Sequence, residues 1–224
     1  MSSVHLQIVH GEGGGNRPRD VRRDAPALSP QRLRIIDAAL GVLARQGLNR
    51  CTVDDVAREA GCSRATVYRV FPGGKDEVLQ AVADTEVSRF FSRLAVSLGT
   101  ATCVEEVIVT AVVEAARAIR GHEALNRLLD DEPERILPHL AFAEMDSLLR
   151  QAAAFTAPFL GRFMGHAEAE RIAEWTCRMV LSYLLCPAEG VDLTDEDSAR
   201  RLVAAFVLPA VRSLRRPRTP QRMP

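Results

Sequence analysis

The chain has 224 residues, with 29 Lys and Arg balancing 29 Asp and Glu for a formal net charge of zero. That balance excludes binding to polyanions through overall charge, so any nucleic-acid contact has to come from a local cluster of cations. No apolar run approaches the length needed to cross a bilayer, and the N-terminus lacks the apolar stretch of a secretory signal. The five cysteines (51, 62, 103, 177, 186) form no C-x-x-C pair and leave an odd one over, which suits ordinary thiols in a reducing cytoplasm.

Residues 1–28 read as a flexible arm. Gly11-Glu12-Gly13-Gly14-Gly15 comes near a dinucleotide fingerprint, but Arg17-Pro18 follows where a helix would have to open. Arg17, Arg19, Arg22 and Arg23 face only Asp20 and Asp24, which fits either a solvated tail or an added minor-groove contact. Ser29-Pro30 is a helix start, a capping hydroxyl followed by proline at the first helical position. Leu33, Ile36, Leu40 and Leu43 trace one face from there to Gly47.

The stretch 52–75, TVDDVAREAGCSRATVYRVFPGGK, carries the clearest pattern. Val53, Val56, Ala57 and Ala60 share one helix face, with Thr52 as the cap and Asp55 in the first turn. Gly61 ends that helix with a residue tolerant of positive φ, and Ser63 caps the next. Helix, glycine turn and helix make a helix-turn-helix. In the second helix Val67 alone anchors inward, while Arg64, Ala65, Thr66, Tyr68 and Arg69 face out. Short side chains let such a helix sink its N-terminal end into a major groove, and its donors reach base edges and phosphates. Phe71-Pro72 stops it, and Lys75 opens a third helix whose free N–H groups and ammonium suit a phosphate.

This run closely resembles the DNA-binding segment of the TetR family of bacterial transcriptional repressors. Departures are Cys62 for the usual valine, Val70 where histidine is common, and an extra glycine in Gly73-Gly74. The resemblance covers roughly residues 31–82. It implies repression released by a small molecule and a homodimer built from the last two long helices. The DNA-facing set is then Thr52, Val53, Ser63, Arg64, Ala65, Thr66, Tyr68, Arg69 and Lys75, on double-stranded, palindromic operator DNA.

Beyond Lys75 the sequence predicts only helices. One continues past Val82, and others lie near 103–119, 121–130, 134–150, 151–164, 167–186 and 195–215. Breaks are expected at Gly99, Gly121, Pro133, Gly165 and 187–190, with Thr194 capping the last helix. Arg212, Arg215, Arg216 and Arg218 complement that helix's C-terminal dipole. Phe155, Phe159 and Phe163 recur every four residues around Pro158, among alanines that either pack closely or leave room for a ligand. With Trp175 and Arg178 they form a candidate wall for a lipophilic ligand, with any anionic end near Arg178. Ile172, Trp175, Met179, Tyr183 and Leu202, Phe206, Val207 supply apolar stripes for the dimer seam.

No catalytic set assembles from the sequence. The acidic cluster Asp130-Asp131-Glu132-Pro133-Glu134 resembles half of a magnesium–diphosphate site, but a second facing motif is missing. The histidines (5, 10, 122, 139, 166) show no zinc spacing, and no serine sits in a nucleophile elbow. The expected molecule is all-α, with an arm (1–28), a helix-turn-helix domain (29–75), a ligand-binding and dimerisation domain (76–216) and a short tail (217–224). Its expected role is DNA-binding regulation without cofactor, metal or membrane. The alternatives are a ligand-independent architectural DNA binder and a magnesium-dependent enzyme.

Overall fold

The computed structural model describes residues 29–131 and 143–214, and every element among them is helical. The arm, the tail, Arg215, Arg216, Arg218, His139, and Glu132, Pro133 and Glu134 of the acidic cluster lie outside the described residues.

Helix α1 (Pro30–Arg50) begins where Ser29 accepts a hydrogen bond from the Arg32 amide, with proline inside the first turn. Its inner face buries Ile35, Ile36, Ala39, Val42 and Leu43, spaced for a single stripe. Gly47 sits at φ 75°, ψ 178°, so the regular run ends there before one last turn. Helices α2 (Val53–Glu59) and α3 (Arg64–Val70) lie against it and contribute Val53, Val56, Ala57 and Val67. Phe71 closes this first core, fully buried. Truncating such a phenylalanine to alanine costs about 3–5 kcal/mol, so this one ring anchors the end of α3.

Helix α4 (Lys75–Gly99) belongs to two cores. Val78, Ala81 and Val82 near its start complete the first, while Leu94 and Leu98 near its end enter the second. At about 1.5 Å per residue it is also long enough to bridge them. Helix α5 (Val104–Arg120) is the centre of the second core. Val107, Ile108, Val109, Val112, Val113 and Ala116 are all buried, which leaves little of its surface to water. Helix α6 (Glu123–Asp131) turns back on α1 and places Ala124 in the first core. The first core therefore extends past residue 75 along the chain.

Helix α7 (Ala143–Leu160) packs along α8 (His166–Leu185). The two separate helices expected on either side of residue 150 are one helix over the described residues, and it continues through Pro158 to Leu160. Helix α9 (Glu196–Leu202) passes through a π-helical turn (Val203–Val207) into α10 (Leu208–Leu214). Its cap is Asp195, whose carboxylate accepts from the Ser198 amide at 2.8 Å, and not Thr194 as expected. The Thr194 amide and hydroxyl instead donate to Asp192, at 2.9 and 2.8 Å, in a turn just before the cap.

The π turn bears on the expected dimer seam. Val203, Val207 and Val211 face the protomer's own core, as do Leu202 and Ile172, and Phe206 is left 62% exposed. Leu202, Val207 and Ile172 are therefore buried within the protomer. No described helix is long and apolar enough to cross a membrane.

Candidate nucleic-acid interface

The turn between α2 and α3 is built by local chemistry. Thr52 Oγ1 accepts from the Asp55 amide at 3.2 Å, and its hydroxyl donates back to the Asp55 carboxylate. That donation, with help from Arg58, holds the Asp55 carboxyl below the usual carboxylate range. At the other end the Gly61 and Cys62 amides donate to the carbonyls of Arg58 and Ala57, at 3.2 and 2.9 Å. This closure puts Gly61 at φ 63°, a conformation glycine adopts without strain. Ser63 Oγ then accepts from the Thr66 amide at 3.2 Å and starts α3.

Only Val67 of α3 is buried, so the rest of the helix is presented outward. Ser63, Arg64, Ala65, Tyr68 and Arg69 are exposed, Thr66 is half-buried, and Thr52 is exposed at the start of α2. The Ser63 and Thr66 hydroxyls share a hydrogen bond at 2.9 Å, which fixes both rotors. Arg69 Nη2 donates to Gln31 on α1 at 3.4 Å. Arg32 donates to the Val70 carbonyl at 3.1 Å and lies 4.1 Å over the Phe71 ring, pinning the end of α3 to α1.

Two members of the sequence-derived set are placed differently. Val53 is only 9% exposed and packs in the first core, so its side chain does not reach the surface. Lys75 Nζ donates to the Leu48 carbonyl at 2.7 Å, tying the start of α4 to the end of α1. One of the three ammonium donors is thus used within the fold.

Asp54, which the sequence did not single out, and Gly74 also belong to this surface. Asp54, in the first turn of α2, lies 3.2 Å from Arg64 Nη1. Arg64 Nη2 also donates to the Tyr68 hydroxyl at 3.4 Å, and the guanidinium sits 5.5 Å over the Tyr68 ring. Tyr68 and then Asp54 raise the Arg64 pKa above its ordinary value. Gly74, at φ 66°, passes beneath Tyr68: a Cβ added there would meet the ring's Cε1 at 3.1 Å. The extra glycine of Gly73-Gly74 was the available signal for this approach. Asp54 carried no such signal, because its partner lies ten residues away across the turn.

The second candidate surface is the phenylalanine cluster. Phe90 and Phe91 of α4 join Phe155 and Phe159 of α7 in one row, with centroids 5.2, 4.5 and 5.7 Å apart. Phe163 is half-buried beside the same core. Trp175 and Arg178 are not part of this cluster. Trp175 is 45% exposed, and Arg178 pairs with Glu174 at 2.8 Å and Asp146 at 3.3 Å. Nearby on α8, Thr176 is buried and its hydroxyl finds no hydrogen-bond partner among the described residues. Of the acidic cluster, Asp131 is paired with Arg127.

Comparison with known proteins bears on this surface directly. Residues 35–82 match the family profile described as bacterial regulatory proteins, tetR family. An uncharacterised HTH-type transcriptional regulator of Mycobacterium tuberculosis is 28% identical over 181 residues, covering 80% of this chain and 84% of that protein. The HTH-type transcriptional regulator SrpR of Pseudomonas putida is 51% identical over 61 residues, 27% of this chain and 28% of its own. In fold, the chain is similar to AlkX, a TetR family repressor from Dietzia implicated in biodegradation of n-alkanes. That likeness has a TM-score of 0.55 at 21% identity and covers 82% of this chain and 98% of AlkX. The matched segment contains both capped helices, the glycine turn and the outward face of α3. Residues 35–82 thus match the DNA-binding segment of the tetR family, and the chain is similar over most of its length to an HTH-type transcriptional regulator.

Proposed function

We propose that the chain is a repressor that binds a palindromic operator as a homodimer and is released by a small lipophilic ligand. The observation that carries the reading is the outward face of α3, where Val67 alone is buried and two arginines, a threonine and a tyrosine stand out. Arg64 and Thr66, in the first turns, read base edges, and Tyr68 contacts a phosphate. Thr52, Ser63, Ala65 and Arg69 flank them and fit the backbone on either side. One helix of seven residues reads few bases, so two copies on a two-fold site are the natural unit. Trp175 and Phe206, both exposed, supply the seam together with the half-buried Met179 and Tyr183 at the edge of the protomer's core.

The ligand reading rests on the aromatic row between α4 and α7 and on the unpartnered hydroxyl of Thr176. Apolar walls with a few polar groups are the usual make-up of a small-molecule site. A ligand acts only through its difference in affinity between two forms. Phe90 and Phe91 sit on α4, the helix whose first turns complete the DNA-binding core, so ligand contact there bears on the spacing of the two α3 helices.

The test starts from a randomised duplex library, from which the wild-type protein selects its operator. Arg64→Ala with Tyr68→Ala should abolish preference for the selected sequence. Equal affinity of the wild type for operator and random duplex would return the architectural reading. Fatty acids, acyl thioesters and aromatic drugs are then titrated against the complex. Release by sugars or nucleotides, with none by lipophilic compounds, would overturn the ligand class.

A further inference from the structure

An acidic residue on a DNA-facing surface is a cost unless it does something there, because it repels the phosphates. Asp54 is 56% exposed at its side chain and lies 3.2 Å from the Arg64 guanidinium, which is itself 60% exposed. The other terminal nitrogen of the guanidinium meets the Tyr68 hydroxyl, the guanidinium lies over the Tyr68 ring, and that ring in turn lies over the bare Cα of Gly74. Four residues from three successive elements thus stack in the order Asp54, Arg64, Tyr68, Gly74.

The geometry points to Asp54 as the positioning residue that makes Arg64 a reader of guanine, a proposal that rests on the DNA-binding reading above. A guanidinium has five N–H donors. The contacts to Asp54 and Tyr68 take one from each terminal nitrogen and leave three donors on a side chain that is 60% exposed. Guanine presents two acceptors, O6 and N7, side by side in the major groove, and an arginine fork fits them. A free arginine at the edge of the groove has a competing choice, the nearest phosphate, which carries no sequence information. Asp54 works against that choice in two ways. It holds the side chain between α2 and α3, and its charge offsets the pull of a phosphate while leaving neutral acceptors attractive. Tyr68, accepting from Arg64, keeps its own O–H to donate to a phosphate oxygen.

An exposed ion pair of this kind contributes little to stability, so its effect should appear in recognition and not in folding. A helix-dipole role for an acid in the first turn of α2 would likewise leave base preference unchanged.

The test measures affinity for the selected operator and for every single base-pair replacement within a half-site, at several salt concentrations. Wild type, Arg64→Ala, Asp54→Asn, Asp54→Glu and the Asp54→Asn/Arg64→Ala double variant are compared, with circular dichroism as the check on folding. Arg64→Ala should lose discrimination at one G·C pair per half-site, on the order of tenfold. Asp54→Asn should lose most of the same discrimination while binding random duplex more tightly, with a salt slope steeper by about one per half-site. Asp54→Glu should restore part of the preference, and the double variant should discriminate no worse than Arg64→Ala alone. Full discrimination in Asp54→Asn would overturn the positioning role. An Arg64-dependent position that is not G·C would overturn the base assignment. If the wild type shows no sequence preference at all, it is the DNA-binding reading that fails, and this proposal falls with it.

Discussion

Replacing Arg162 with alanine tests how the second core is held to the long helix α4. Arg162 follows the end of α7, and its guanidinium donates to the Phe159 carbonyl at 3.1 Å, to Gly99 at 3.2 Å, to Leu98 at 2.9 Å and to Ala101 at 3.2 Å. It also lies 5.2 Å over the Phe163 ring and 5.9 Å over that of Phe159. The carbonyls at the ends of two helices therefore converge on one cation, where both dipoles favour positive charge. Three of these bonds are exposed, and water replaces them at little cost, so they are not summed. The Leu98 bond is partly buried and charge-assisted, a class contributing about 1.5–3 kcal/mol. The ring contacts add roughly 0.5–1 kcal/mol. Arg162→Ala should then cost about 2–4 kcal/mol, and for a chain of this size lower Tm by about 4–16 °C. The assay is thermal and urea unfolding followed by circular dichroism, at one fixed protein concentration because association shifts apparent stability. Arg162→Lys keeps the charge but cannot serve divergent carbonyls, and should recover less than half of the loss. A loss below about 0.5 kcal/mol in the alanine variant, or full recovery by lysine, would refute the account.

Three further outcomes follow from particular placements. Phe206→Asp should leave a folded chain that light scattering reports as a monomer, whereas Val207→Asp, at a fully buried site, should not fold; a dimeric Phe206→Asp would move the interface elsewhere. Lys75→Ala should lower stability by about 1.5–3 kcal/mol through its lost bond to the Leu48 carbonyl while leaving the salt dependence of operator binding unchanged; a salt slope reduced by about one would restore its phosphate role. At pH 8 a disulfide reagent should label the exposed Cys103 and Cys186 quickly and Cys51 and Cys177 slowly, since burial, helped by Glu174, pushes the Cys177 thiol up to about 11; fast labelling of Cys177 would contradict its surroundings.

The features legible in the sequence are those decided within a few residues. Ser29, Thr52 and Ser63 cap their helices because each hydroxyl reaches an amide three positions on, and Gly61 turns the chain because its own φ is positive. The single inward residue of α3 follows from helical periodicity, and so does the outward face proposed to meet DNA. Periodicity does not say what lies opposite a face. Leu202, Phe206 and Val207 read as one stripe, yet the π turn widens the helix by part of a turn, sending Val207 into the core and Phe206 out. Lys75 carries the right charge for a phosphate, but the Leu48 carbonyl that receives it is brought there only by the packing of α4 against α1. The pairing of Asp54 with Arg64, the convergence of two helix ends on Arg162, and the meeting of Phe91 with Phe155 are likewise contacts between elements. Their partners are set by how helices pack, which no local spacing along the chain encodes.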